Sequence, residues 1–525
     1  MATEKMATDS NASALNTYFT LGAAFACLAV AAFFLLRKLF PKNLPPGPPA
    51  LPIVGHLPQL FPDPAAAIAK WSKKYGDTVS VQYGPKLLVV MHDFDTAKKM
   101  FNEEITTGRD PDYPQNTFAK GRGIQQSEGD LWREHRRFMT RTLRDYGLGK
   151  SWLQDTILNE IEDNFTYFTK HAKDPVDPRG YIEHFTANIV SLLAFGKRYE
   201  INDKEYNRFT EAFAQNTRLL GPPLTPVYLY PWIKHIIPEY KANWNKFYNN
   251  WRTYMPFAEK RIKERKEHSI QSDTPENYVD SYFEEAKKHQ GEPNNTFTDD
   301  QLLYSMINMY TAGTASVTTT LLWCFLYMLE NPEEQKKIQA EIDSIVEPDK
   351  LVRMEDRANL KYTDAALMEC QRLASIVPLG LFHQNLEEMT IDGFTIPKRS
   401  LLSASVYSIH RDPRYWEHPD KFYPGHFLDK EGNVKQSPPG YMPFGIGKRL
   451  CNGEPLAKME VWLYMTNMLH KYEFRKAEGC PASSEVFTTG LARTTWPYKC
   501  VFVPRHTSRN GHVHHEKNGG SSIPI

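Results

Sequence analysis

A glycine-rich loop near the C-terminus carries the side chain best suited to binding a metal. Residues 444–453 read FGIGKRLCNG and place Cys451 just before a predicted helix that begins near Gly453. Amides at a helix N-terminus favour a thiolate, and glycines let the backbone approach a flat ligand closely. A lone cysteine after such a loop is more often a buried structural thiol. The interpretation of Cys451 as a metal ligand therefore depends on the whole pattern FxxGxRxCxG.

Two residue pairs have spacings that place both side chains on one helical face. Glu369 and Arg372 are three residues apart and can form a bidentate ion pair. Trp132 and Arg136 are four apart, and an indole N–H beside a guanidinium suits a carboxylate. Taken alone, the Glu369–Arg372 pair would be better explained as a surface helix pair, which contributes only roughly 0.2–0.5 kcal/mol.

The order and spacing of these motifs resemble the cytochrome P450 superfamily over nearly the whole chain. The resemblance implies a mainly α fold with a smaller β region, a triangular helical prism behind one N-terminal transmembrane helix. It also implies heme b (iron protoporphyrin IX) as cofactor, with Cys451 as the axial ligand of the haem iron. In this class, electron donation by the thiolate favours cleavage of the oxygen–oxygen bond.

The group most similar in pattern is the animal microsomal one that oxidises drugs, steroids and fatty acids. The segments that carry this similarity are LPPGPPALPIVGHL, WREHRRFMTRTLRDYGLGK and AGTASVTTTL.

The resemblance assigns roles around the haem residue by residue. The predicted cofactor-binding residues are Cys451, Trp132, Arg136, His383, Arg449, Lys120, Phe444 and Gly453. Among these, the two arginines and Trp132 would hold the haem propionates, assisted by His383 and Lys120. For His383 alone, a satisfied core histidine would be the default interpretation.

A structural network beneath the haem loop is also implied. Glu369 and Arg372 would lock the core, and His426 would be the third member in place of the family's arginine. Because histidine titrates near neutral pH, this contact is predicted to be pH-sensitive.

The distal helix is identified at residues 311–321, TAGTASVTTTL, where the sequence departs from the family pattern. Small Ala312 and Gly313 are predicted to open a groove for dioxygen. Most members follow with an acid and a threonine that deliver protons, whereas this chain has Ala315 and Ser316. Ser316 keeps a hydroxyl that can order water, and Ala315 can relay nothing. The candidate catalytic residues are therefore Ser316, Gly313 and Ala312.

Two activities stay open. In the first, the enzyme is a monooxygenase that inserts one oxygen atom from O₂ into a small hydrophobic substrate, with Ser316 and water supplying protons. In the second, O₂ is not activated, and an isomerase, dehydratase or lyase acts on a hydroperoxide or an aldoxime. A haem protein used only for binding is a third hypothesis, which the intact thiolate loop and the anchor disfavour.

The substrate pocket is predicted to be mostly apolar. Its candidate residues are Gln125, Gln126, Asn308, Leu379 and Leu491, together with Ala312 and Ser316. The two glutamines indicate a substrate with a hydrogen-bonding group, unless they turn to bulk solvent.

Electrons must come from another protein, because no flavin- or nicotinamide-binding glycine motif follows a strand. The implied donors are NADPH-cytochrome P450 reductase and, as a second donor, cytochrome b5. Basic residues that would face an acidic flavoprotein are Arg133, Arg136, Arg137, Arg141, Arg144, Lys150, Lys448 and Lys458.

The N-terminal composition predicts a membrane anchor. Residues 18–36 form an uncharged apolar run just long enough to span a bilayer, and Arg37, Lys38 and Lys42 follow it. The basic flank predicts a single-pass protein with a cytosolic catalytic domain, and the resemblance to the microsomal group implies the endoplasmic reticulum membrane. The predicted segments are a tail (1–17), the anchor (18–36), a basic Pro-rich hinge (37–52), the haem-thiolate domain (53–505) and a disordered tail (506–525).

Composition excludes other classes. With 63 basic and 62 acidic residues the formal charge is +1, so no bulk field favours nucleic acid. The six cysteines are scattered, which fits a reducing compartment.

Periodicity predicts a helix over 63–75, strands over 78–81 and 87–90, long helices from about 130 to 347, short strands over 389–396 and a last helix over 453–472.

Overall fold

The computed structural model describes residues 43–145, 151–269, 275–480 and 482–506, together with positions 20 and 22. The predicted anchor, apart from those two positions, and the chain beyond His506 lie outside the described residues. Within the described ranges the protein is mainly helical with a small β region. The α-helices are α1 (Leu57–Leu60), α2 (Pro64–Tyr75), α3 (Phe94–Phe101), α4 (Asn116–Ala119), α5 (Gly123–Gln126), α6 (Gly129–Asp145), α7 (Ser151–Lys170), α8 (Arg179–Phe195), α9 (Lys204–Leu219), α10 (Thr225–Leu229), α11 (Ile233–Ile236), α12 (Pro238–Ser269), α13 (Tyr278–Lys288), α14 (Asp299–Glu330), α15 (Pro332–Ile345), α16 (Lys361–Ala374), α17 (Val406–Ile409) and α18 (Glu454–Lys471).

The β region of the described chain is one four-stranded sheet and three two-stranded ones. The strands are β1 (Thr78–Tyr83), β2 (Lys86–Met91), β3 (His383–Gln384), β4 (Met389–Ile391), β5 (Phe394–Ile396), β6 (Leu401–Ala404), β7 (Tyr472–Lys476), β8 (Phe487–Thr489), β9 (Arg493–Thr495) and β10 (Cys500–Pro504). The larger sheet has the order β1-β2-β6-β3, with only the β2–β6 pair parallel. Pairs β7–β10, β4–β5 and β8–β9 are antiparallel.

The predicted elements agree with these bounds. The helix expected over 63–75 begins at Pro64, because the Asp63 side chain accepts the Ala66 N–H at 3.1 Å and caps it. Both predicted strands fall within the β1–β2 pair. The last helix begins at Glu454 and ends at Lys471. The region predicted as short strands is the β4–β5 hairpin, whose turn residues Asp392 and Gly393 both have positive φ.

The long helix α14 forms the centre of the molecule. The Thr298 side chain accepts the Gln301 N–H at 3.2 Å, and Asp299 and Asp300 complement the helix dipole in the first turn. Within the described part of the chain it alone is long and apolar enough to cross a membrane, but 72% of its apolar window is buried. It is therefore a core helix, packed against α8, α5, α16 and α18.

The largest hydrophobic cluster joins α14 to the helix that follows Cys451. It takes residues from α7, α8, α14, α15, α16 and α18, and its largest buried side chains include Trp323 and Trp462. Because α18 begins three residues after Cys451, this cluster fixes the position of the cysteine loop relative to α14 and α16.

Candidate active site

The cysteine loop is folded as its sequence predicts. The Cys451 N–H donates to the Phe444 carbonyl at 3.1 Å and closes the loop. Gly447 has φ +77°, and a Cβ there would lie 2.2 Å from the Phe101 carbonyl oxygen, so only glycine fits. Burial raises the pKa of the Cys451 thiol, and hydrogen bonds from the amides of Gly453 and Glu454 oppose that rise. Binding to a metal ion would complete the deprotonation.

Several ionisable groups near this loop have solvent-accessible surface although they lie deep inside the protein. Cys451 is exposed, and Arg109, Arg136 and Arg449 are half-exposed. Burial nevertheless is the largest influence on the pKa of all four groups. This combination is expected of side chains that line an internal cavity.

The middle of α14 shows a second opening in the core. Ala312 is exposed and residues 313–316 are half-buried, whereas Thr311 and Val317 on either side are buried. The Ser316 hydroxyl donates to the Ala312 carbonyl at 2.6 Å. The Ser316 oxygen thus keeps its lone pairs free to accept a hydrogen bond at this opening.

Gly313 has a packing role in the structure. A Cβ at this position would lie 2.7 Å from Val190 Cγ2 on α8, so its missing side chain lets the two helices approach. Its predicted part in the dioxygen groove stays a prediction.

A basic cluster surrounds Trp132. The Arg449 guanidinium lies 4.0 Å from the centre of the Trp132 ring and donates to the Thr107 and Ser127 carbonyls, at 2.6 Å each. Arg136 donates to the Leu450 carbonyl, adjacent to Cys451, at 2.5 Å. Arg109 donates to the Phe382 carbonyl at 2.9 Å. The fold thereby brings the guanidinium groups of Arg109, Arg136 and Arg449 together beside the cysteine loop.

Nearby carboxylates compensate the positive charge of the cluster only in part. Burial, then Arg109 and Arg136, lower the pKa of Arg449 to about 7. Burial and Arg136 lower the pKa of Arg109 to about 10. Glu128 is the largest carboxylate influence on Arg449, but it also pairs with Arg399 at 2.9 Å.

Trp132 Nε1 is buried and has no hydrogen-bond partner among the residues that the structure describes. Three cations with little compensating negative charge, together with one buried N–H donor without a partner, fit a ligand that presents carboxylates here. The two propionates of haem meet this requirement.

His383 also faces the cluster. Its Nδ1 lies 2.9 Å from the Thr106 carbonyl oxygen, which can only accept, so Nδ1 carries a hydrogen. Burial, then Arg109 and Arg449, hold the pKa of His383 well below its ordinary value. Donating to a propionate would require a second proton on Nε2.

The remaining predicted haem residues occupy distinct positions. Lys120 ends α4 in a left-handed conformation with its side chain exposed. The Phe444 ring lies beneath Lys458 Nζ, 5.6 Å from the ring centre. Gly453 precedes the first residue of α18. Their roles at the haem stay predictions.

The Glu369–Arg372 pair is fully buried. Arg372 Nε and Nη2 each donate to one Glu369 carboxylate oxygen at 2.7 Å, and both side chains have 0% exposure. Arg372 also donates to three carbonyl groups, those of His410, Pro419 and Lys421. Burial alone would raise the pKa of Glu369, but hydrogen bonds from Arg372 and His426 outweigh it and lower the pKa.

His426 completes this network in its neutral form. Its Nε2 accepts the His418 N–H at 3.0 Å, so its hydrogen is on Nδ1, which donates to Glu369 at 3.2 Å. A hydrogen on His426 Nε2 would point at the His418 N–H and remove that hydrogen bond. Acid sensitivity of this contact stays a prediction.

An apolar cavity adjoins the basic cluster through Arg109. Four of the seven predicted pocket residues line it, namely Gln125, Gln126, Leu379 and Leu491, and its other walls include Phe61, Tyr83, Leu220 and Phe382. Ala312 and Ser316, at the opening in α14, are not among its lining residues. Asn308 is outside this lining, because its side chain holds α5. Its Oδ1 accepts the N–H groups of Ile124 and Gln125, both at 2.9 Å, and its Nδ2 donates to Gln126 at 3.1 Å.

The two glutamines differ in their freedom. Gln126 is buried and donates to Gln115 at 3.0 Å, so it does not turn to bulk solvent. Gln125 is half-buried at the cavity wall, and its Oε1 receives only a long contact of 3.4 Å from Gln126.

Two residues of the site were missed by sequence reasoning. Arg109 belongs to no local motif, and only the pairing of Gly108 with Gln384 brings it beside His383. His410 accepts the Met442 N–H at 3.0 Å and thereby ties the Arg372 network to the cysteine loop. Burial and Arg372 lower the pKa of His410 to about 3, so it stays neutral. Neither residue gives a signal that spacing could detect.

The fold agrees with comparisons to known proteins. The family model described as Cytochrome P450 matches residues 45–502. Mouse Cytochrome P450 2U1 is 31% identical over 517 residues, covering 94% of this chain and 97% of that protein. Cytochrome P450 18a1 of Drosophila melanogaster is 32% identical over 92% of this chain and 91% of its own. Human Cytochrome P450 2J2 is 31% identical, with 91% and 94% covered.

The chain therefore belongs to the cytochrome P450 family, and family membership implies a haem cofactor. It is an enzyme of the haem-thiolate monooxygenase class. The family match also implies a redox partner and a hydrophobic substrate, and the microsomal relatives suggest a location at the endoplasmic reticulum membrane.

Proposed function

We propose that this enzyme inserts one oxygen atom of O₂ into a small hydrophobic substrate and that Ser316 replaces the family's threonine in the oxygen step. The overall reaction consumes the substrate, O₂, two electrons and two protons, and gives the hydroxylated product and one water. Haem b, bound through Cys451, would supply the redox chemistry. The observation that carries the proposal is the Ser316 hydroxyl, which donates to Ala312 at the opening in α14.

The hydrogen bond from Ser316 fixes what this hydroxyl can do. Because its hydrogen is committed to the Ala312 carbonyl, its oxygen is turned to accept a hydrogen bond from water or from a protonated ligand. Serine lacks the methyl group that restricts χ1 of threonine, so this orientation is held less firmly. The expected result is productive turnover with some loss of reducing equivalents as peroxide.

The second candidate function rests on Ala315. This half-buried residue provides no ionisable group where most members of the family have an acid. An enzyme that isomerises or dehydrates a hydroperoxide or an aldoxime needs no protons for O₂ cleavage, so it would tolerate alanine here.

The deciding experiment compares product formed per NADPH consumed in the reductase-reconstituted enzyme. The variants are Ser316→Ala, Ser316→Thr and Ala315→Glu. We expect the first to lower the ratio about tenfold or more, since it removes the only hydroxyl at that position. The other two should raise the ratio. Turnover of a hydroperoxide or aldoxime without NADPH and O₂, unaffected by all three changes, would establish the second function instead.

Thr311 provides a matched control. Its hydroxyl donates to the Ile307 carbonyl at 2.7 Å, the same i to i−4 bond one turn earlier, but it is buried. Thr311→Ala should leave the coupling ratio unchanged. An equal loss in Thr311→Ala and Ser316→Ala would mean that helix geometry, and not the Ser316 hydroxyl, controls coupling.

The cavity supports a substrate that is apolar with one hydrogen-bonding group. Its lining is mainly aliphatic and aromatic, and Gln125 is the amide with the most remaining capacity to bond. Gln125→Leu should raise KM several-fold for substrates that carry a hydroxyl or carbonyl group, and leave KM for hydrocarbons unchanged. Equal effects on both classes would show that the amide does not contact substrate.

The proposed electron donors are NADPH-cytochrome P450 reductase and cytochrome b5, at the endoplasmic reticulum membrane. Several candidate docking cations are paired with carboxylates, among them Arg133 and Lys448 with Glu104. Arg137 and Arg144 are exposed and are the better candidates. Arg137→Glu should lower the rate at limiting reductase several-fold and weaken its salt dependence. Arg208→Glu, an exposed position on α9, is the control.

A further inference from the structure

A group of potential metal ligands lies outside the active site, where three elements end. Asp343 is near the end of α15, His470 is in the last turn of α18, and His506 follows β10. One ligand atom from each residue lies within 4.8 Å of the other two. The three residues are distant in sequence, so the fold alone brings them together.

The tautomer of His470 leaves a lone pair directed into this group. Its Nε2 lies 3.1 Å from the Glu347 carbonyl oxygen, which accepts the ring hydrogen. Nδ1 therefore carries the lone pair, and the His470 side chain is only 4% exposed. A backbone carbonyl that orients a histidine in this way is the usual support of a metal-binding imidazole.

Both inward nitrogens lack hydrogen bonds. His470 Nδ1 and His506 Nε2 are buried atoms with no partner among the described residues. They lie 3.6 and 3.7 Å from the same oxygen, Asp343 Oδ1, which is too far for a hydrogen bond.

The distances suit one ion. Two ligands bound tetrahedrally to zinc at 2.0–2.2 Å are about 3.3–3.5 Å apart. Atoms separated as these are enclose a point at most about 2.4 Å from each of them, so a shift of a few tenths of an ångström closes the site.

Arg505 holds the Asp343 carboxylate in place beside the two histidines. Its Nη2 donates to Oδ2, and its Nη1 donates to Oδ1 at 3.2 Å and to the carbonyls of Leu469 and His470 at 3.1 and 3.0 Å. A hydrogen bond of this kind orients a ligating carboxylate, and Oδ1 keeps a second lone pair for a metal ion. The positive charge of Arg505 also weakens binding of a cation, so the expected affinity is moderate.

We propose that Asp343, His470 and His506 bind a divalent transition-metal ion, with Zn²⁺ the best match to two imidazoles and one carboxylate. Water would take the fourth position. The ion would join the ends of α15 and α18 to the segment after β10. The site is separate from haem chemistry, so it does not depend on the proposed function.

The test measures zinc and iron together in the full-length holoenzyme after equilibrium dialysis against buffered micromolar Zn²⁺. We expect about one zinc per haem iron in the wild type. His506→Ala should lose that equivalent while keeping the haem. The sequence after His506 contains His512, His514 and His515, so a triple alanine variant of these three is the control and should keep the equivalent.

A second readout locates the ion. Zn²⁺ should protect His506 from modification by diethylpyrocarbonate, detected by peptide mass spectrometry. Absence of bound zinc in the wild type would overturn the proposal. Zinc that persists in His506→Ala, or that disappears in the triple variant, would also overturn it, as would protection confined to the three later histidines.

Discussion

Replacing Glu369 by glutamine measures how much the buried Glu369–Arg372 ion pair contributes to the free energy of unfolding. The change keeps the shape of the side chain but leaves the Arg372 cation with 0% exposure and no carboxylate. Breaking a buried pair from one side costs about 3–5 kcal/mol, because an uncompensated charge stays in the interior. The three backbone carbonyls that Arg372 still contacts can offset part of this cost, so we expect the lower end of that range.

The same chain offers a matched control. Glu333 and Lys336 on α15 have the same spacing and a 2.9 Å contact, but their side chains are 75% and 66% exposed. Glu333→Gln should change the free energy of unfolding by less than about 0.5 kcal/mol. Urea unfolding of each variant, followed by tryptophan fluorescence and the Soret band, measures the difference. If Glu369→Gln costs no more than Glu333→Gln, burial does not make this pair important and the reasoning fails.

The acid dependence of Glu369 gives a further check on that measurement. Its pKa is lower in the folded protein than in the unfolded chain, so its contribution is present above the unfolded pKa. The contribution is lost as the pH falls through the folded pKa. The gap between the wild type and Glu369→Gln should therefore narrow in acid, and a gap independent of pH would contradict the assignment.

Three other predictions follow from single contacts. Trp132→Phe keeps a ring beside Arg449 but removes the buried N–H, so haem loss to a scavenging protein should accelerate about tenfold; an unchanged rate would exclude a bond from this N–H to a propionate. Gly313→Ala places a Cβ 2.7 Å from Val190 and should destabilise by about 1–3 kcal/mol, and adding Val190→Ala should restore most of the unfolding midpoint. Burial raises the pKa of Glu460 well above its ordinary value, and its Oε2 has no partner among the described residues. Glu460→Gln should therefore stabilise the protein at pH 7, with a gain that disappears as the pH falls to the ordinary pKa of glutamate; a loss at pH 7 would refute this.

The sequence predicted those parts of the fold that local patterns determine. Helical periodicity predicted α2, and short runs rich in β-branched residues predicted β1 and β2. The pairing of β6 between β2 and β3 could not be predicted, since it joins residues about 300 positions apart. That pairing nevertheless places His383 beside the basic cluster.

The candidate site likewise contains residues that short motifs predict and residues that only long-range contacts bring into place. Cys451, Trp132 and Arg136 were found because each lies in a short motif with fixed spacing. Asn308 was predicted to line the pocket, but its amide is used to hold α5, a choice that only the contacts of the folded chain determine. Arg109 was missed for the converse reason, because its neighbours in space are remote in sequence.

The basic cluster links haem binding to the stability of the fold. Arg136 lowers the pKa of Arg109, and both lower the pKa of Arg449, so gathering the three in the folded protein is unfavourable when no anion lies between them. A dianion bound between the three arginines replaces their repulsion by attraction. The resulting gain in free energy is larger in a cavity of low dielectric constant than it would be in water. If these residues bind the propionates, as we expect, they destabilise the protein without haem. The Glu369–Arg372 pair, with 0% exposure, carries its own compensating charge and needs no ligand, whereas the three arginines are explained by the proposed binding of a ligand that carries carboxylates.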